Sequence, residues 1–79
     1  MNLPAASQTF PSPQQRLVQT YRAYVIADLK RQPVIVLALL DAFLAARHGA
    51  QTPLNNSRDL LLLSDADAEA AIAFLQARP

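Results

Sequence analysis

The stretch PVIVLALLDAFLAA, residues 33–46, contains one polar side chain, Asp41, and otherwise only proline and apolar residues. It is too short to cross a bilayer, which takes about 20 apolar residues. Residues 34–36 (VIV) favour a strand, but the Leu, Ala and Phe residues that follow favour a helix by length and propensity. The sequence RHG at 47–49 suits the negative end of a helix and the left-handed position beyond it. The stretch therefore predicts a helix.

The apolar side chains of this second helix cover a wide arc. On a helical projection they span about 200°, opposite a narrow strip of small or polar residues. One neighbouring helix cannot bury so broad an arc. We therefore expect this helix to be central, with both flanks covered by the rest of the chain, a second copy or another protein. The arc consists of Ile35, Val36, Leu37, Leu39, Leu40, Phe43 and Leu44.

A first long helix is predicted over residues 13–31. Ser12 and Pro13 supply an N-cap and a first-turn proline. Pro33 cannot continue this helix, so a sharp break precedes it. The apolar face repeats at a spacing of three and four residues, through Leu17, Val18, Tyr21, Tyr24, Val25 and Leu29.

Residues 53–63 leave two alternatives open. The pair Thr52-Pro53 resembles a helix start, which favours a short helix from 53 to about 62. The other alternative is a loop followed by a strand at 60–63. We prefer the helix, because one short strand would have nothing to pair with.

The last helix is predicted over residues 65–78. Ser64 is its N-cap, and carboxylates in or near its first turn favour the positive end of the helix dipole. Phe74 lies toward the side opposite the inner face. That inner face consists of Ala68, Ala71, Ile72 and Leu75.

At 79 residues the chain has room for one domain. Residues 1–12, with Pro4 and Pro11 and no apolar period, predict a flexible N-terminal arm whose one large apolar anchor is Phe10. Residues 13–79 predict a single helical domain. The expected fold class is all-α: a small irregular bundle of three long helices plus a short fourth.

The composition excludes several kinds of chemistry. The chain has no cysteine, one glycine and one histidine. Without cysteine there is no disulfide and no thiol nucleophile. A single glycine cannot form a glycine-rich phosphate loop, and one histidine offers little for a general base with an orienting partner. We therefore expect no enzymatic activity, no metal and no cofactor.

Charge and the N-terminal sequence bear on location. The net charge is +1, too small to indicate nucleic acid or an anionic membrane as the partner. The opening MNLPAASQTFPSPQQ has no early Lys or Arg and no apolar run of signal-peptide length. We expect a cytoplasmic protein that does not bind a membrane.

Two carboxylates stand on apolar faces. Asp28 projects into the apolar stripe of the first helix, and Asp41 interrupts the second; a buried, unpaired carboxylate would be costly. The simpler explanation for Asp28 is an exposed position near the helix end, paired with Arg31 or Arg47. For Asp41 it is a solvent-facing strip. Otherwise Asp41 makes a specific contact with another helix that packs against this strip.

These features predict a non-enzymatic protein-interaction module. We expect it to regulate, inhibit or adapt a larger cytoplasmic protein by occupying its surface, and to form a homodimer. Small accessory proteins of bacteria and phages have a similar composition, which is an association only. Five residues that are out of place on their faces, or lie on the arm, are the predicted partner contacts: Phe10, Arg22, Asp28, Asp41 and Phe74.

The alternative function is a small DNA-binding regulator. Residues 47–63 would then be the turn of a helix-turn-helix, and the last helix would read the DNA. The acidic start of that helix, where phosphates would approach, makes nucleic acid the less favoured partner. An affinity that falls steeply with salt would distinguish this alternative from an apolar protein contact.

Overall fold

A computed structural model describes residues 11–49 and 53–78 of the chain. Within these ranges the chain forms three α-helices and one 3-10 helix, with no strand, which confirms the all-α fold class. Residues 1–10 of the predicted arm, with Phe10, lie outside them. The elements are α1 (Pro13–Ile26), α2 (Pro33–His48), the 3-10 helix (Ser57–Leu62) and α3 (Asp65–Ala77).

The start of α1 follows the prediction. The Ser12 hydroxyl oxygen accepts a hydrogen bond from the Gln15 backbone N–H at 3.1 Å, and the Gln15 side-chain oxygen accepts one from the Ser12 N–H at 3.0 Å. This reciprocal pair satisfies two backbone donors that the first helical turn cannot satisfy internally. Pro13, which has no N–H to satisfy, occupies the first turn.

The end of α1 does not follow the prediction, since the helix stops at Ile26 and not at residue 31. The Asp28 carboxylate accepts a hydrogen bond from the Lys30 N–H at 2.9 Å, an arrangement that competes with helix. The Arg31 guanidinium donates to the Tyr24 carbonyl oxygen at 3.2 Å and so satisfies a carbonyl of the last turn.

Helix α2 has the predicted bounds, but its place in the fold differs from the prediction. Helix α1 packs most extensively along α3, and α2 makes fewer contacts with either. One part of the wide apolar arc is buried, whereas Ile35 is half exposed. The central pair is therefore α1 and α3, and α2 covers one side of it. The buried residues of α2 are Val36, Leu37, Leu40 and Leu44.

One apolar cluster joins all four elements. Leu17 and Tyr21 enter it from α1, and Leu54 and Leu60 enter it from the segment between α2 and α3. The predicted inner face of α3 is confirmed, because all four of its residues are buried here. They are Ala68, Ala71, Ile72 and Leu75.

The segment 53–62 is helical only in part. Residues 53–55 are irregular, and the 3-10 helix begins at Ser57 under an Asn56 cap, with no strand among these residues. The Asn56 side chain accepts from the Arg58 N–H at 2.9 Å. The helical alternative was right in kind, but the helix starts later than Pro53 because Asn56 provides the cap.

Polar contacts fix α1 against the start of α3. The Gln14 amide donates to the Leu63 carbonyl oxygen at 2.7 Å and to the Asp65 carboxylate at 2.8 Å. Two residues further along α1, Arg16 pairs with Glu69. Ser64 caps α3 as predicted.

In the part of the chain that is described, no helix has both the length and the apolar character needed to cross a bilayer.

Replacing Gly49 with alanine is expected to lower the free energy of unfolding by about 1 kcal/mol. Gly49 ends α2 with φ of 85°, which disfavours any residue with a Cβ atom. An added Cβ would meet no other atom within 4 Å, so the loss comes from the backbone alone. Urea denaturation measures it. Gly49→Asn should lose less, because asparagine enters positive φ more readily; equal stability of all three proteins would contradict the prediction.

Candidate functional site

A groove of about 370 Å³ lies between α1 and the 3-10 helix. The residues that α1 contributes recur at three- and four-residue spacing and so share one helix face. The 3-10 helix forms the opposite wall. The lining from α1 is Gln15, Val18, Gln19 and Arg22, and that from the 3-10 helix is Ser57, Arg58 and Leu61.

The groove is positively charged. Arg22 and Arg58 both line it and both are exposed, and none of the described lining residues is acidic. Among residues 11–49 and 53–78, neither guanidinium group has a hydrogen-bond or ion-pair partner, whereas Arg16 and Arg47 are paired with carboxylates. Two unpaired arginines therefore flank a groove that also contains apolar side chains.

A second surface surrounds the turn between α1 and α2. Four large apolar side chains within ten consecutive residues are exposed there, at 77% for Ile26, 95% for Leu29, 69% for Val34 and 50% for Ile35. We call these four residues the apolar corner. Single exposed apolar residues are ordinary, but a concentration of them is typical of an interaction surface.

The early end of α1 adds Leu29 to the apolar corner. The helical spacing predicted that Leu29 would lie on the buried face with Leu17 and Tyr21. Because the helix stops at Ile26, Leu29 leaves that face and is almost fully exposed. The turn formed by Asp28 thus converts a predicted core residue into a surface residue.

A second groove lies between α1 and α3, and its polar groups are engaged within the chain. It has a volume of about 340 Å³ and is lined in part by Tyr24 and Arg31. The Arg31 guanidinium lies 3.9 Å from the centre of the Tyr24 ring, and the Tyr24 hydroxyl oxygen accepts a hydrogen bond from Arg78 at 3.1 Å. The charges at this groove are thus engaged within the chain.

The predicted contact residues fall in different environments. Arg22 lies in the groove between α1 and the 3-10 helix. Asp28 is exposed in the turn after α1, bonded to the Lys30 N–H, so it is not on the apolar helix face where the spacing placed it. Its exposed position near the helix end agrees with the simpler explanation, but Arg47, one of the two predicted partners, pairs with Asp67 instead.

Asp41 and Phe74 both make contacts within the chain. Asp41 is half-buried, and its two carboxylate oxygens accept from the Leu54 N–H at 2.9 and 3.1 Å. The strip that contains Asp41 thus receives the irregular segment before the 3-10 helix. Phe74 stacks on Phe43 of α2, with ring centres 4.5 Å apart, and the Arg78 guanidinium lies 5.3 Å from the Phe74 ring.

A polar cluster that sequence reasoning missed joins the end of α2 to the start of α3. Asp67 accepts from His48 Nε2 at 2.8 Å and from Arg47 Nε at 3.2 Å. Hydrogen bonding to His48 lowers the pKa of the Asp67 carboxyl, Arg47 lowers it further, and burial opposes both. The sequence explained Arg47 and His48 by the dipole of α2 and Asp67 by that of α3, so nothing in it indicated that these residues meet.

No further chemistry is apparent in the described ranges. They contain no group of three or more His, Cys, Asp or Glu side chains that could hold a metal ion, and each of their buried side-chain nitrogen and oxygen atoms has a hydrogen-bond partner. Comparison with known proteins finds no matching family model, no similar curated protein and no similar solved structure. The groove beside the 3-10 helix and the apolar corner are the two candidate surfaces for binding a partner.

Replacing Asp41 with alanine is expected to lower the free energy of unfolding by about 1–2 kcal/mol, because the buried Leu54 segment loses its carboxylate acceptor. Asp41→Asn keeps one acceptor oxygen and should lose less. Urea denaturation of the three proteins checks this order. An alanine variant as stable as the wild type would show that the contact contributes nothing.

Replacing Asp67 with asparagine is expected to lower the free energy of unfolding by about 1 kcal/mol at neutral pH. This is the contribution expected of a partly exposed ion pair. Because the folded pKa of Asp67 is lowered, its contribution is complete above the unfolded value of about 4 and disappears as the pH falls through the folded pKa. Urea denaturation from neutral to strongly acidic pH measures the difference between wild type and variant, which should shrink below about pH 4.

The matched control for this titration is Asp65→Asn. Asp65 lies in the same first turn of α3, but its carboxylate accepts from the neutral Gln14 amide. Asp65→Asn should therefore lower the free energy of unfolding at neutral pH by less than Asp67→Asn does. If the difference in the free energy of unfolding between wild type and Asp67→Asn stays constant across the acid range, the assigned pKa shift is wrong.

Proposed function

We propose that this chain is a non-enzymatic protein-interaction module, which binds a larger cytoplasmic protein and regulates, inhibits or adapts it by covering part of its surface. The observation that supports this most is the apolar corner. Its four side chains are between half and almost fully exposed. A chain of 79 residues has little core to spare, so four large apolar side chains held at the surface favour an intermolecular role.

A partner that covers the apolar corner would gain free energy by burying its side chains. Full burial of an exposed leucine or isoleucine side chain is favourable by about 1.5–3 kcal/mol. Leu29 and Ile26 are the two most exposed members of the corner. A partner that covers both would therefore gain more from them than from any rim contact of comparable size.

A protein partner is favoured over DNA. In a helix-turn-helix, α3 would read the groove and its N-terminus would approach phosphates. The first turn of α3 carries Asp65 and Asp67, and Glu69 follows. Like charges at that position oppose phosphate binding.

A second copy of this chain is one protein that could cover the apolar corner. The chain would then be a homodimer.

Replacing Leu29 with serine is expected to reduce capture of the partner about tenfold, because a favourable burial of at least 1.4 kcal/mol is lost. The matched control is Leu62→Ser. Leu62 is 82% exposed on the 3-10 helix, so this change removes similar apolar surface away from the corner. Quantitative mass spectrometry of proteins captured from nuclease-treated lysate compares wild type and both variants.

The expected result is a captured protein that survives nuclease, is depleted with Leu29→Ser and is retained with Leu62→Ser. Circular dichroism confirms that both variants are folded. Light scattering of the purified chain distinguishes a homodimer, whose mass would fall to that of a monomer with Leu29→Ser. A set of captured proteins that is unchanged by Leu29→Ser, or that disappears with nuclease, would contradict the proposal.

A further inference from the structure

We propose that the groove between α1 and the 3-10 helix binds an acidic, partly apolar peptide segment, whose carboxylates pair with Arg22 and Arg58. The inference rests on the proposed function in one respect, since it takes the occupant to be part of a protein. It goes further in naming the chemistry of that segment and the residues that select it.

Among the described residues, no carboxylate pairs with Arg22 or Arg58. The sequence has six acidic residues, and each one accepts a hydrogen bond or forms an ion pair elsewhere. Arg22 and Arg58 therefore line the groove without an ion-pair partner among residues 11–49 and 53–78. The six engaged carboxylates are those of Asp28, Asp41, Asp59, Asp65, Asp67 and Glu69.

The groove combines charged and apolar side chains. A guanidinium group presents a planar set of donors that matches a carboxylate in two parallel hydrogen bonds. Val18, which is half-buried, and Leu61, which is 47% exposed, line the same groove and offer apolar contact. An occupant that satisfies both kinds of group carries Asp or Glu next to Leu, Ile or Phe.

The volume and position of the groove suit a peptide. Its 370 Å³ lies at the lower end of the range of about 300–1,000 Å³ for sites that hold a ligand or a few side chains. Arg22 and Ile26 are four residues apart on α1 and so share a helix face. One partner segment can therefore run from the groove toward the apolar corner.

Nucleic acid fits the groove less well. Affinity for nucleic acid grows with the number of phosphates that are neutralised, and this groove offers two cations. None of its described lining residues is aromatic, so a base would have no ring to stack on. The apolar pair Val18 and Leu61 would face phosphates without benefit.

The test is a selection of short random peptides displayed on phage, with the full-length chain as bait. The wild type should enrich peptides in which Asp or Glu stands beside a large apolar residue. The double variant R22Q/R58Q should lose this preference, and the best wild-type peptide should bind it about tenfold more weakly in fluorescence anisotropy. Since both side chains are exposed and unpaired among the described residues, this variant should fold normally.

The matched control is Lys30→Gln, which removes an exposed positive charge outside the groove and should leave the selection unchanged. Enriched peptides without an acidic preference, enrichment that R22Q/R58Q retains, or no enrichment would each overturn the proposal. A DNA duplex that binds the wild type, loses affinity with R22Q/R58Q and displaces the peptide would assign the groove to nucleic acid and overturn it as well.

The two proposals can fail separately. If Leu29→Ser loses the lysate partner but the peptides show no acidic preference, the groove assignment is wrong and the proposed function stands. If acidic peptides depend on Arg22 and Arg58 while Leu29→Ser changes nothing in the lysate, the role of the apolar corner is wrong and the groove assignment stands.

Discussion

The packing of α1 along α3 is the contact on which the other elements depend. Leu17 of α1 is fully buried in the same cluster as Ala68 and Ala71 of α3, whose small side chains let the two helices lie close together. Helix α2 adds to one side of this pair, and the 3-10 helix adds to another through Leu60. Both candidate surfaces lie beside α1, so their geometry follows from how α1 is held.

Local signals predicted most of the fold correctly. Cap residues and prolines set the start of α1, and the bounds of α2 follow from Pro33 and Gly49. The end of α1 was wrong because apolar spacing continues to Leu29, while the Asp28 carboxylate favours a turn over another helical turn. Periodicity records which residues could share a face, but it does not show where a side chain will compete for the backbone.

Long-range pairing accounts for what the sequence could not predict about the site. Arg22 was recognised as out of place on its helix, but Arg58 was missed, because its importance depends on where all the carboxylates lie in the fold. The width of the apolar arc of α2 predicted that this helix is central, which was wrong, because α1 and α3 form the central pair. The width of the arc does not show which of its residues the other elements cover, and Ile35 stays half exposed.

The 3-10 helix gives the groove one wall that differs in kind from the other. Helices of this type have poorer hydrogen-bond geometry than α-helices, and this one is held by its Asn56 cap and by the fully buried Leu60. Two contacts hold the segment between α2 and α3 that contains the 3-10 helix. Asp67 joins the end of α2 to the start of α3, and Asp41 accepts a hydrogen bond from the Leu54 N–H. Arg22 stands on α1 and Arg58 on the 3-10 helix, so the distance between the two guanidinium groups depends on how the segment between α2 and α3 is held against α1. Under the proposal made above, that distance would set the spacing of the carboxylates that the groove accepts.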